Sequence, residues 1–221
     1  MPHTRARYRH PVALAALLLG LAGCSSMYYS AMEKLGIEKR EILVDRVEDA
    51  RDAQTEAQET FRSSLERFQS VVDTPDTALQ DKYDTIRTAY EDSGDAAEAV
   101  RDRIDAVEDV SEALFEEWED ELDLYESESL RRSSERQLTE TRSQYDSLIA
   151  RMHRAEAKMA PVLEAFEDQV LFLKHNLNAQ AIGALEQELS QIRSDVDKLI
   201  REMEDSIAES EAFIERFQSA N

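Results

Sequence analysis

One cysteine, five glycines and four prolines in 221 residues each remove a class of answer. A single thiol cannot close an internal disulfide or build a multi-cysteine metal centre. Glycine is too sparse for tight backbone cradles: no phosphate-binding loop ends in Lys and Ser/Thr, and no serine sits between glycines at a nucleophile turn. Histidine is as scarce. The two beyond the N-terminal region, His153 and His175, have Ala150 and Phe172 three residues before them, where a di-iron helical bundle needs Glu. The longest apolar run, Val12 to Leu19, is roughly half the ~20 residues that a membrane-spanning helix requires. Basic residues are outnumbered 26 to 48, for a net charge of −22. Such a chain repels phosphate backbones, which argues against a nucleic-acid partner. No alternating Val/Ile/Thr run marks a strand.

What is present begins with an export signal. Arg5, Arg7 and Arg9 form a basic tip, the apolar run follows, and small residues lead to Cys24. Leu21-Ala22-Gly23-Cys24 resembles the lipobox of bacterial lipoproteins. That resemblance implies cleavage between Gly23 and Cys24, a diacylglycerol on the thiol and acylation of the new amine. It also implies an outer-membrane address facing the periplasm, because Ser25 and Ser26 stand where lipoproteins retained on the inner membrane often carry Asp. Three acyl chains would anchor far more firmly than one. Removal of residues 1–23 takes away three arginines and no acid, leaving 198 residues at −25, so acidity belongs to the mature body. That charge holds the body off anionic headgroups.

The mature region reads as helix throughout. Its strongest seam is Leu138, Thr141, Tyr145, Leu148, Met152, Ala155, Met159, Val162, Phe166, Val170, Leu173 and Leu177, in steps of three and four. Others run from Val47 to Val72, from Leu79 to Tyr125, and from Leu185 to Phe217. Thr74 before Pro75 reads as a helix cap after a turn. Asp92-Ser93-Gly94-Asp95 reads as a second turn or a kink, Ser127 to Ser134 as a corner, and Asn176 to Gly183 as the last corner, capped by Asn178. Pro161 lies inside the best seam and predicts a bend, since the rhythm persists on both sides. The expected fold is all-α, an elongated antiparallel bundle of three or four long helices. Its organisation is a signal at 1–23, a lipid-anchored juxtamembrane segment at 24–37 and a helical coiled-coil domain at 38–221. A second copy is compatible with a seam left over.

Candidate interaction residues are few. Trp118 occupies a seam position amid Glu116, Glu117, Glu119, Asp120 and Glu121, so it reads as core or as the mark of a partner groove. Phe172 to Leu185, with Lys174, His175, Asn176 and Asn178, is the densest mixture of polar and apolar types. Its amides read as register-setting bonds across helices or as an interaction site at a helix end. At this segment, and at Tyr28 to Arg40, the chain resembles an uncharacterised family of proteobacterial exported helical proteins, a numbered domain of unknown function. That resemblance spans nearly the whole mature region. It implies fold and envelope location and no catalytic residue. The expectation is therefore a non-enzymatic, membrane-tethered lipoprotein without cofactor or bound metal, serving as spacer, scaffold or adaptor toward another envelope protein. The alternative is an acidic module that binds divalent cations or cationic peptides.

Overall fold

The computed structural model describes residues 39–73, 78–176 and 179–219, with the side chains of 179–182 left aside. Gly23, Cys24, Thr74, Pro75 and Asn178 lie outside the described residues, as do the side chains that follow the anchor. Four helices run in order: α1 (Lys39–Asp73), α2 (Leu79–Leu122), α3 (Glu128–His175) and α4 (Ala179–Ser219). At 1.5 Å per residue they are about 50 to 70 Å long. They form an up-down-up-down bundle in which α1 packs on α2, α2 on α3, α3 on α4 and α4 back on α1.

The seams explain the packing. Val47, Phe61 and Phe68 of α1, Ile86, Val100 and Ile104 of α2, Leu148, Met159 and Phe166 of α3, and Val196, Leu199 and Phe213 of α4 are all essentially inaccessible to solvent. Aromatic rings bridge the diagonal that the helix backbones leave open. Phe166 stacks on Phe68, with centroids 4.4 Å apart, and reaches Phe61 at 6.4 Å.

One break expected in the seams does not occur. Asp92 to Asp95 lies within continuous α2, so no turn forms there. Ser93 is fully buried, its Oγ 2.9 Å from Ser64 Oγ on α1 and 2.8 Å from the Ala89 carbonyl, to which Ser64 also donates. Packing against α1 outweighs the ~1 kcal/mol that glycine costs in a helix interior. The last corner is also shorter than expected, because α4 already begins at Ala179 and takes in Gly183. Helix α3 continues through Pro161; the proline faces solvent, and the seam residues Met159, Val162 and Phe166 stay buried on either side. The α2–α3 corner lies at 123–127, just ahead of the serine-rich stretch, with Ser127 as the extended residue that opens α3.

Register is set by polar pairs inside the bundle. No basic residue stands in the last turn of α1, where the helix dipole favours a cation. Lys82, 2% exposed, supplies one from α2 by donating to the Val71 carbonyl at 2.7 Å. Gln58 reaches the Ile200 carbonyl of α4. One level of the core is incompletely satisfied. Gln54 is fully buried with neither amide atom hydrogen-bonded, and buried Ser206 Oγ on α4 likewise lacks a partner. Desolvation of such groups costs about 1–3 kcal/mol each. Gln54→Met, close in shape and without polar ends, should therefore raise stability by about 1–3 kcal/mol, read as a higher urea midpoint at unchanged slope.

Candidate functional site

Cross-helix pairs define two ends. Lys39 Nζ meets Glu117 at 2.6 Å and Arg40 stacks on Phe217, so the start of α1, the end of α4 and the α2–α3 corner share one end, here called the base. The α1–α2 and α3–α4 connections share the other, the tip. Along the flanks run ion pairs that join neighbouring helices, among them Arg67–Asp92, Arg62–Glu204, Arg101–Glu156 and Arg151–Asp205. Exposed pairs of this kind contribute about 0–1 kcal/mol each. Their main effect is to cover the flanks with charge.

Large exposed apolar side chains are confined to the ends. Among the described residues they are Leu124 (77% exposed), Tyr125 (41%) and Leu130 (59%) at the base, and Leu171 (48%) and Phe172 (38%) at the tip. Tyr125, expected in the α2 seam, thus falls beyond the helix and out of the core, because α2 stops at Leu122.

At the tip, Lys174 and His175 are exposed in the last turn of α3, where positive charge suits the carbonyl end of the helix. Asn176 does not bond across helices as its amide suggested. Its Nδ2 donates to the Phe172 carbonyl of its own helix at 2.9 Å, and its backbone N–H donates to Leu173, satisfying carbonyls that a helix end leaves open. Leu171 and Phe172 are the tip residues that periodicity undervalues. They lie beside the buried seam residues Val170 and Leu173, and a stripe of spaced apolar residues does not reveal how wide its neighbours can cover it.

At the base, Trp118 is half-buried and its Nε1 donates to Ser134 Oγ at 2.7 Å. The Arg40 guanidinium lies 5.2 Å from the Trp118 ring and 4.6 Å from the Phe217 ring. Trp118 and Arg40 together thereby link α1, α2, α3 and α4. A groove of about 280 Å³ opens beside it, lined by Arg40, Trp118, Gln137, Thr141, Arg216 and Phe217. Of the surrounding carboxylates, Glu117 pairs with Lys39 and Glu119 with Arg142 at 2.7 Å; the Arg142 hydrogen bond and charge hold Glu119 below the ordinary carboxylate range.

The chain belongs to the family described as Protein of unknown function (DUF2959), whose model matches residues 28–217. The match takes in all four helices and begins ahead of α1. No curated protein and no solved structure matches the chain. The family description assigns no activity, so the site rests on geometry alone. Among the described residues no group of three His, Cys, Asp or Glu side chains is placed to hold a metal ion, and no helix is long and apolar enough to cross a membrane.

Among the described residues, a histidine network sits mid-rod and couples α2 to α3. His153 lies 3.0 Å from Glu108 and 3.2 Å from Glu156, and Arg101 also reaches Glu156. The Glu108 hydrogen bond, opposed by partial burial and reinforced by Glu156 and both negative charges, raises the imidazole above its ordinary 6.5. Burial pushes the Glu156 carboxyl up, but hydrogen bonds and charge from Arg101 and His153 outweigh it and leave it below 4.5. The histidine contribution is complete below 6.5 and is lost as pH rises through the raised folded value. The Glu156 contribution is complete above 4.5 and is lost as pH falls through the lowered one. His153→Gln should therefore destabilise the bundle most between those two values and leave it unchanged at alkaline pH. Urea midpoints of parent and variant across pH 4 to 9 check this; a constant difference would mean that His153 acts by packing alone.

Proposed function

We propose that this protein is a non-enzymatic, lipid-anchored lipoprotein of the bacterial envelope, held at the outer membrane through Cys24, whose four-helix rod serves as a spacer or adaptor in the periplasm. The observation that carries this reading is the segregation, among the described residues, of exposed apolar surface to the two ends of a rod with charged flanks. Isolated exposed apolar residues need no explanation, but a distribution restricted to opposite ends matches a body that makes contact end-on. The base is where the chain arriving from Cys24 enters α1. The tip then stands ~60 Å or more away, within reach of a second envelope component. Tethering confines the search of the tip for its partner to one surface and raises effective concentration there.

The test is affinity purification from the native host of the parent and of a Leu171→Ser/Phe172→Ser variant. Both positions are exposed, so stability should change by no more than about 0.5 kcal/mol each. The partner should be recovered with the parent and lost with the variant; equal recovery from both would place the contact elsewhere and end the tip reading.

A further inference from the structure

Helix α3 stands proud of the other three helices at the base. Glu119 pairs with Arg142, and Phe115 packs edge-on against Tyr145 with centroids 5.4 Å apart. The Trp118–Ser134 hydrogen bond carries the contact with α2 on to residue 134 of α3. The Arg151–Asp205 pair puts Ser219, the last residue of α4, near residue 137. The six residues 128–133 at the start of α3, roughly 9 Å of helix, extend past the Trp118–Ser134 contact with the 123–127 corner running beside them. From residue 123 to 133 no side chain is buried, and burial resumes at Ser134. The overhang carries Leu124, Tyr125 and Leu130 with nothing described against them.

We propose that residues 28–38 of this same chain dock on the overhang, with Tyr28, Met32 and Leu35 covering Leu124, Tyr125 and Leu130, so that the rod is braced on its anchor instead of swinging on a 15-residue tether.

Four observations converge. First, the chain enters here: Lys39 is pinned to Glu117 at 2.6 Å, so the Leu35 Cα, four residues earlier, lies within ~14 Å of the Lys39 Cα in any backbone conformation. Second, Tyr28, Met32 and Leu35 recur at steps of four and three, the spacing that brings side chains to one face of a helix. Third, the family match begins at residue 28 and not at the start of α1, so the shared unit includes this stretch. Fourth, a second copy is a poor fit, because three side chains fall far short of the ~800 Å² per partner that a stable dimer buries.

The bracing consequence rests on anchoring at Cys24; the docking does not, and it is tested without lipid. The mature chain is prepared as Cys24→Ala with p-benzoylphenylalanine in place of Leu130, irradiated, and its crosslinks mapped. Docking predicts a monomeric product joined to residues 28–38. Crosslinks between two chains, crosslinks only to added phosphatidylglycerol vesicles, or none into 28–38 would each overturn it. In a second measurement on the same Cys24→Ala background, Met32→Asp/Leu35→Asp should speed amide hydrogen exchange across 123–131 at least tenfold while leaving the Phe166 level unchanged. Equal exchange in both proteins would also overturn the proposal.

Discussion

Phe166→Ala is expected to cost about 3–5 kcal/mol, the range for deleting a buried phenylalanine ring. The ring is fully buried, stacked on Phe68 at an interplanar angle of 17° and also within reach of Phe61. It fills the diagonal of the bundle, so its loss leaves a cavity that no adjacent side chain spans. A domain of this size has a net stability of roughly 5–15 kcal/mol, so the variant should unfold at a much lower urea concentration with little change in slope. Phe172→Ala, six residues on and 38% exposed, is the control and should move stability by about 0.5 kcal/mol or less. The contrast between two phenylalanines of one helix separates packing from residue type. Equal losses would mean that the diagonal stack is not the centre of the core.

The second large effect is all-or-none. If the thiol of Cys24 carries the lipid, growth of the host with labelled palmitate should mark the parent and leave Cys24→Ala unlabelled, and membrane extraction should no longer recover a triacylated mature N-terminus. The chain holds no other cysteine, so no second thiol can substitute. The bundle itself should be indifferent: far-ultraviolet circular dichroism and the urea midpoint of the mature body should match those of the parent, because the described core begins at Ile42. Palmitate label persisting in Cys24→Ala would remove the anchoring reading while leaving the fold untouched.

Helices were legible wherever local chemistry and packing agreed. The Leu138 to Leu173 rhythm predicts α3, and Leu138, Leu148, Met152, Ala155, Met159, Val162, Phe166, Val170 and Leu173 are buried there. Legibility failed where a local signal met a tertiary partner. Ser93-Gly94 reads as a breaker, yet Ser64 on α1 accepts that surface and the helix runs on. Asn176 reads as a bridge between helices, yet its own last turn offers an open carbonyl nearer to hand. Lys82, charged and unremarkable in sequence, is buried because the end of α1 presents Val71 to it. None of these outcomes follows from spacing, since each depends on which group of another helix arrives at the same level.

The sequence by itself determined that the chain from Lys39 onward is helical, where its apolar stripes run, and that it carries excess negative charge, because 3.6-residue periodicity and composition are local properties of the chain. Tertiary structure alone decided the neighbour order of the helices, the diagonal aromatic stack, the overhang of α3, and the confinement of exposed apolar surface to base and tip. Those features are matters of relative register. A stripe repeated every seven residues can slide by a turn at small local cost, and only the simultaneous fit of four helices, with Lys82, Ser93 and Phe166 finding their partners at once, selects one arrangement.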